Sequence, residues 1–314
     1  MEKGYIFPTK GYVFPIFPVI IQVEPTNHCN FNCPHCPRQM MTYPKGYMKF
    51  STFKKIVDEA SEKRELMPVE IKLFYLGEPL LHPQLKKMCE YLTEKQVPFG
   101  VTTNGSLLNY DNITFLLQNA RQLGVSIDGY NTETYKQLRG GDYEKTTANL
   151  RRLCSLKKRG NSKTTIRLTT VIPDNDAQAS MWLTEILKQW YGYNLIVGPL
   201  ERHLYQNTSW LGEPSKLTPI QRSYICEDGL TSLVIRWNGD VQYCCADINC
   251  EGKLGNVNTQ TLQEIWISKQ MWQLRKQITS KNYINPVCSR CSVDTSLKHN
   301  IKLSMPAEYQ KMLG

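Results

Sequence analysis

From residue 19 onward, short apolar runs alternate with longer stretches whose apolar residues recur at helical spacing. Runs near 19–24, 70–75, 98–102, 122–127, 165–172 and 194–198 predict strands. Stretches near 51–62, 83–95, 109–120, 142–158 and 178–191 predict helices with charged outer faces. Ser51 and Asp111 stand where N-cap residues belong. Repeated strand–helix units imply parallel strands with right-handed crossovers. About six units are too few for a closed eight-stranded barrel and suit a partial (β/α)6 TIM barrel, an α/β fold. Chemistry in such barrels sits at the C-terminal ends of the strands, so residues just after each predicted strand are the first candidates.

Different material brackets the alternation. Residues 1–16 hold a near-repeat, Gly4-Tyr5-Ile6-Phe7-Pro8 and Gly11-Tyr12-Val13-Phe14-Pro15, which reads as an extended arm. Residues 199–222 break the rhythm and read as a connector, with Arg202, His203 and Trp210 as the residues able to face a substrate. Beyond it, two alternating runs around Asn238-Gly239 give a hairpin signal, followed by an amphipathic helix with Leu262, Ile265 and Trp266. The expected division is an arm over 1–16, a barrel over 17–198, a connector over 199–222 and an auxiliary domain of hairpin plus helix over 223–314.

Composition narrows the class. At 314 residues and 41% hydrophobic, the chain can bury a large α/β core. No apolar run of about 18 residues is present to span a membrane. The N-terminus lacks the pattern of a signal peptide, so a cytoplasmic location is expected. Eleven cysteines in such a chain argue for metal ligation and against disulfides. The formal net charge of +10 suits an anionic small molecule. Only Lys157-Lys158-Arg159 forms a tight basic run, so nucleic acid is not an expected partner.

Three of the cysteines lie in Cys29-Asn30-Phe31-Asn32-Cys33-Pro34-His35-Cys36, spaced C-x3-C-x2-C, directly after the first predicted strand. A cubane [4Fe–4S] cluster takes four thiolates, so three leave one iron open to a small chelator. Zinc or three buried thiols are the other readings, although zinc sites usually pair C-x2-C motifs or add histidine. Here the sequence resembles the radical S-adenosylmethionine (radical SAM) superfamily. The resemblance implies that Cys29, Cys33 and Cys36 hold a cluster chelated by S-adenosylmethionine. It continues at each later strand end. Tyr75-Leu76-Gly77-Glu78-Pro79 is similar to the family's Gly-Gly-Glu-Pro motif, with Leu76 in place of the first glycine; its backbone, at Tyr75, Gly77 and Glu78, would receive the amino group. Thr103 and Asn104 of Thr102-Thr103-Asn104-Gly105 match the ribose-contacting stretch. Ser126, in Ser126-Ile127-Asp128-Gly129, and Arg139 match the carboxylate site, with Asp128 beside them. Val171 and His35 would lie along the adenine. His28 and His82 read as loop histidines, and Cys89 and Cys154 as buried thiols within helices.

The C-terminal third holds Cys226, Cys244, Cys245, Cys250, Cys288 and Cys291. The spacing of 18, 44 and 3 positions along Cys226, Cys244, Cys288 and Cys291 resembles the twitch form of the SPASM extension, as in twitch-containing aminocyclitol dehydrogenases. That resemblance implies one auxiliary [4Fe–4S] cluster on these four, while tetrahedral zinc is the alternative. Of the two cysteines left over, Cys245 and Cys250, one is a candidate spare ligand; Cys245 is otherwise a candidate hydrogen-atom donor or a structural thiol. The function implied is a radical SAM oxidoreductase or epimerase acting at a carbinol carbon of a sugar-like metabolite, with a flavodoxin or ferredoxin-type electron donor. A ribosomal peptide is the alternative substrate. It is demoted because 16 extended residues are too few for a peptide-recognition domain. A non-catalytic iron–sulfur or zinc scaffold is the remaining reading.

Overall fold

The computed structural model of the chain describes residues 5–6, 14–66, 68–172, 176–200, 225–289, 291, 309 and 311–313. In chain order the elements are β1 (Tyr5–Ile6), β2 (Phe14–Pro15), β3 (Ile20–Val23), α1 (Phe50–Lys63), β4 (Glu70–Leu73), α2 (Leu85–Glu94), β5 (Phe99–Thr103), α3 (Tyr110–Asn119), β6 (Gln122–Ser126), α4 (Thr132–Arg139), α5 (Tyr143–Arg159), β7 (Thr165–Val171), α6 (Asp176–Trp190) and β8 (Ile196–Leu200). After them come α7 (Asp228–Thr231), β9 (Ser232–Ile235), β10 (Asp240–Gln242), β11 (Lys253–Asn256), α8 (Leu262–Trp266), α9 (Lys269–Thr279) and α10 (Pro286–Ser289). The α/β class and the open, partial (β/α)6 barrel read from the alternation are the observed fold.

The chain forms two compact units. The first comprises Met1–Cys29, Met40–Gly100 and Gln221–Arg290. Its strands run in the order β11-β10-β9-β3-β4-β5. β3 pairs in parallel with β4 and with β9, register Ile20↔Ser232 to Val23↔Ile235. The predicted hairpin is β9–β10, and its Gly239 has φ +91, which the tight Asn-Gly turn requires. Ile21, Val23, Ile71, Leu73, Leu233 and Ile235 are buried at matching register positions of the sheet, and α1 buries a stripe of Phe53, Ile56, Val57 and Ala60. The near-repeat at the N-terminus pairs with itself as β1 and β2, in register Tyr5↔Pro15 and Ile6↔Phe14.

The second unit comprises Asn30–Gln39, Val101–Ile220 and Cys291–Gly314. β5 ends here and is followed across the sheet by β6, β7 and β8, the last two pairs parallel. Leu123, Val125, Ile166, Leu168 and Val197 fill its core with Leu150 and Leu153 from α5.

Local differences from the sequence reading have simple causes. Ser51 and Asp111 fall inside the first turns of their helices. The caps are Lys49, which has no side-chain cap bond, and Asn109, whose reciprocal bonds with Asn112 form a capping box. The stretch between Ser126 and Arg139 contains α4, capped by Asn131 and Thr134 and ended by Gly140 at φ +70. The amphipathic helix after residue 261 is two helices, because Ser268 turns extended and caps α9. Arg202, His203 and Trp210 lie outside the described residues. Among the described residues no helix is long and apolar enough to cross a membrane.

Candidate functional site

In the first unit, the segment leading to Cys29 is tied down by its own side chains. Thr26 Oγ1 donates to the Gly46 carbonyl (2.7 Å) and accepts from the His28 N–H (3.0 Å). Asn27 donates to the Pro44 carbonyl (2.8 Å) and accepts from the Gly46 N–H (2.9 Å). Gly77 lies against this backbone. A Cβ there would stand 2.1 Å from the Thr26 carbonyl oxygen and 2.7 Å from that of His28. The Glu78 N–H donates to the same His28 carbonyl (2.8 Å), and the buried Glu78 carboxylate caps a short 3-10 turn through the Leu80 N–H. The motif after β4 and the lead-in to Cys29 are therefore one packed piece, and the second glycine of the motif is sterically required. Leu76, in place of the first, is buried.

In the second unit, the remainder of the cysteine loop is held by the ends of β5 and β6. Asn104 donates to Asn30 (2.9 Å), Asn30 donates to Ser106 Oγ (2.9 Å), and Ser106 Oγ donates back to Asn104 (2.6 Å). This closed triangle anchors the loop between the first two cysteines. Thr103 braces the same turn by accepting from the Gly105 N–H (3.1 Å). Gln39 donates to the Cys33 carbonyl (2.8 Å) and Arg38 to that of Phe31 (2.7 Å). The Phe31 ring fills the space that a side chain at Gly141 would need, 2.4 Å from its Cβ.

Asp128 is the hub of this side. One carboxylate oxygen accepts from Arg139 and from His35 Nε2 (3.4 Å), and the other accepts from the Val171 N–H (2.7 Å). Burial would raise this carboxyl, but the Arg139 charge and the His35 bond outweigh it and hold it well below the usual carboxylate range. Arg139 Nε and His35 Nδ1 are buried without hydrogen-bond partners. Cys33 Sγ lies 3.9 Å from the Arg139 carbonyl. Ser126 shares a hydrogen bond with Thr169 (3.0 Å). The predicted adenine and carboxylate residues thus converge, with Arg139 drawn onto Asp128. His82, read as a loop residue, is buried between the Met48 carbonyl and the Gln84 N–H.

A second hub, also in the first unit, holds the turn at Cys244. Arg236 is fully buried between the rings of Tyr43 (4.1 Å) and Tyr75 (4.8 Å) and pairs with buried Glu24 (3.1 Å). It also donates to the Ile248 carbonyl (3.0 Å) and to Gln242 (3.4 Å). Gln242 in turn donates to the carbonyls of Cys244 (2.7 Å) and Asp247 (2.8 Å) and to the Tyr75 hydroxyl (3.1 Å). The hydroxyl of Tyr75, predicted near S-adenosylmethionine, donates to the Asp247 carbonyl (2.9 Å). Burial raises the Glu24 carboxyl, although Arg236 pulls it down. The Cys244 thiol is raised well above its ordinary value by its hydrogen bond to Cys245 and by burial. It accepts from the Ala246 N–H (3.4 Å), and Cys288 Sγ donates to the Tyr243 hydroxyl (3.8 Å).

None of the eleven cysteines is in a disulfide. Cys33, Cys250 and Cys291 are buried, while Cys29, Cys36, Cys226, Cys244, Cys245 and Cys288 are half-buried. Among the described residues no three His, Cys, Asp or Glu side chains converge as a formed metal site. The donor set fits iron–sulfur groups: soft, undisulfided thiols on braced loops, with orphaned buried nitrogens on Arg139 and His35 beside the first loop. The sequence reading missed Asn30, Ser106, Glu24 and Arg236. The signals available for the last two were a charge closing one apolar run, Ile20 to Val23, and a charge inside another, Leu233 to Trp237.

A sequence profile of the radical SAM superfamily matches residues 23–183, and one of an iron–sulfur cluster-binding domain, SPASM, matches residues 226–292. The chain is 24% identical over 325 residues to the tungsten-containing aldehyde ferredoxin oxidoreductase cofactor-modifying protein of Pyrococcus furiosus, covering 87% of both chains. It is similar in fold to BtrN in complex with AdoMet and 2-DOIA (18% identity, TM-score 0.59, 88% of this chain and 93% of that one). It is similar also to Streptococcus suis SuiB bound to precursor peptide SuiA (14% identity, TM-score 0.68, 88% and 70%).

Proposed function

Because the chain belongs to the radical SAM superfamily and carries an iron–sulfur cluster-binding domain, we propose that it oxidises or epimerises a carbinol carbon of a small, polar, sugar-like metabolite. Its cofactors are [4Fe–4S] clusters and S-adenosylmethionine. Bound together, they supply the one-electron chemistry that breaks an unactivated C–H bond. Cys29, Cys33 and Cys36 hold the first cluster. The Asn30–Asn104–Ser106 triangle and the Asp128 hub fix the loop that presents it. Gly77, Glu78, Thr103, Ser126, Arg139 and Val171 orient S-adenosylmethionine. Cys226, Cys244, Cys288 and Cys291 hold the auxiliary cluster, and Cys245 beside them is the candidate hydrogen donor. A flavodoxin or ferredoxin-type protein in a reducing cytoplasm delivers the electron.

The observation that carries this reading is the bracing of the C-x3-C-x2-C loop by side chains at the C-terminal ends of β5 and β6, where barrel chemistry sits. Coverage supports a small substrate: the chain spans 93% of BtrN and 87% of the Pyrococcus furiosus protein, whose name gives a cofactor as its target, against 70% of SuiB. A peptide substrate is the second reading, favoured by the higher TM-score to SuiB. The net charge of +10 suits an anionic form of either.

The test is iron and sulfide content after anaerobic reconstitution of wild type and a Cys29→Ala/Cys33→Ala/Cys36→Ala variant. About eight irons falling to about four, with S-adenosylmethionine cleaved only by wild type, is expected. About four falling to none would remove the auxiliary cluster and the oxidation that depends on it. Solvent deuterium appearing in the product would mark epimerisation.

A further inference from the structure

Three neighbouring strand ends meet at one buried cation. Glu24 follows β3, Tyr75 lies just after β4, and Arg236 follows β9. Arg236 touches both of the others and has no solvent exposure. Below it lies the turn Cys244–Ile248. Arg236 holds the far end of that turn through the Ile248 carbonyl, and holds its near end through Gln242, which donates to the Cys244 carbonyl. Its charge is felt throughout the segment. Burial pushes the Cys250 thiol up to about 12 and raises the Asp247 carboxyl, and in both the Arg236 charge works the other way. An ion pair closed off from solvent is poorly screened. The potential of an iron–sulfur cluster responds to nearby charge and to the groups that orient its ligands.

We propose that Arg236 and Glu24 are positioning residues for the auxiliary cluster: Arg236 fixes the Cys244 turn onto the Tyr75–Glu78 motif, and the pair sets the potential at which that cluster takes an electron. This rests on Cys244 being a ligand of an auxiliary cluster. The cationic end of the pair faces the Cys244 turn, and Glu24 stands on the lead-in to Cys29, so the pair is oriented to favour the reduced state at Cys244.

The experiment is an EPR-monitored potentiometric titration of the reconstituted full chain. It is carried out in the Cys29→Ala/Cys33→Ala/Cys36→Ala background, so that the auxiliary cluster alone is observed. Arg236→Met is expected to lower the midpoint potential and Glu24→Gln to raise it, with the Glu24→Gln/Arg236→Met double variant returning close to the parent. The double variant carries no unpaired buried charge and remains informative if Arg236→Met folds poorly. Opposite shifts are an electrostatic signature, because mere loosening of the turn would move both variants the same way. Same-sign shifts, or no shift from either variant, would overturn the proposal while leaving the auxiliary cluster intact. Absence of iron from the parent would overturn the cluster assignment itself, and the proposal with it.

Discussion

Replacing Gly77 by alanine tests the claim that the motif after β4 and the approach to Cys29 are one packed piece. The added methyl would sit 2.1 Å from the Thr26 carbonyl oxygen, 2.7 Å from that of His28 and 2.8 Å from Asn27 Cα. Real Cβ contacts essentially never fall under 3.0 Å, so something must move by about 0.9 Å, the difference from 2.1 Å. All three obstacles are backbone, and that backbone is pinned to Pro44 and Gly46 through Asn27 and Thr26. Overpacking of this kind costs about 1–3 kcal/mol. Relief by pulling Glu78 away from the His28 carbonyl forfeits a hydrogen bond of about 1 kcal/mol net. Gly77→Ala is therefore expected to lose about 2–4 kcal/mol in urea unfolding at pH 7. It should also take up less iron at the first site than wild type. A variant within about 0.5 kcal/mol of wild type, with full iron, would refute the reasoning, because the distances leave no rotamer by which an alanine could escape.

Two further outcomes follow from buried ionisable groups. Asp128→Asn leaves Arg139 buried without its anion and should cost about 3–5 kcal/mol at neutral pH. Because the folded Asp128 pKa lies below its unfolded value near 3.9, its stabilisation is present above that pH and is lost on acidification. The gap in urea midpoint between wild type and variant should thus hold from pH 8 to 5 and narrow below about pH 4; a gap unchanged at pH 3 would exclude the ion pair as its cause. Burial pushes the Cys89 and Cys154 thiols up to about 12. Iodoacetamide at pH 8 should spare both in the folded protein and label both in urea, as read by peptide mass spectrometry. Native labelling of either would contradict their burial.

The barrel was legible because each strand and helix carries its own period. The β4 residues alternate in burial and α1 buries every third or fourth residue, which are properties of a few adjacent positions. The C-x3-C-x2-C loop and the motif around Gly77 were legible for the same reason. Bonds between residues far apart in the chain were not. Asn30 reaches Ser106 across 76 positions and Glu24 meets Arg236 across 212; a charge beside an apolar run marks Glu24 and Arg236 singly, but nothing local pairs either residue with its partner. Arg139 matched a carboxylate-binding position by motif, yet the fold draws it onto Asp128, because α4 between them curls the chain back within 11 positions. Cap choice failed similarly: Asn109 and Asp111 both carry capping oxygens, and only the backbone angles decide between them.

The parallel pairing of β3 with β9 has a consequence for how the chain must be made. β3 is among the first strands synthesised, and its outer neighbour arrives more than two hundred residues later. Until then its amides and carbonyls on that side stand open, along an apolar strand of the kind that recruits other chains. A chain truncated before residue 225 would keep that opening permanently. The C-terminal segment is thus a seal on the barrel's first strand, and shortened versions made to study the barrel alone are expected to aggregate, whatever the state of their cysteines.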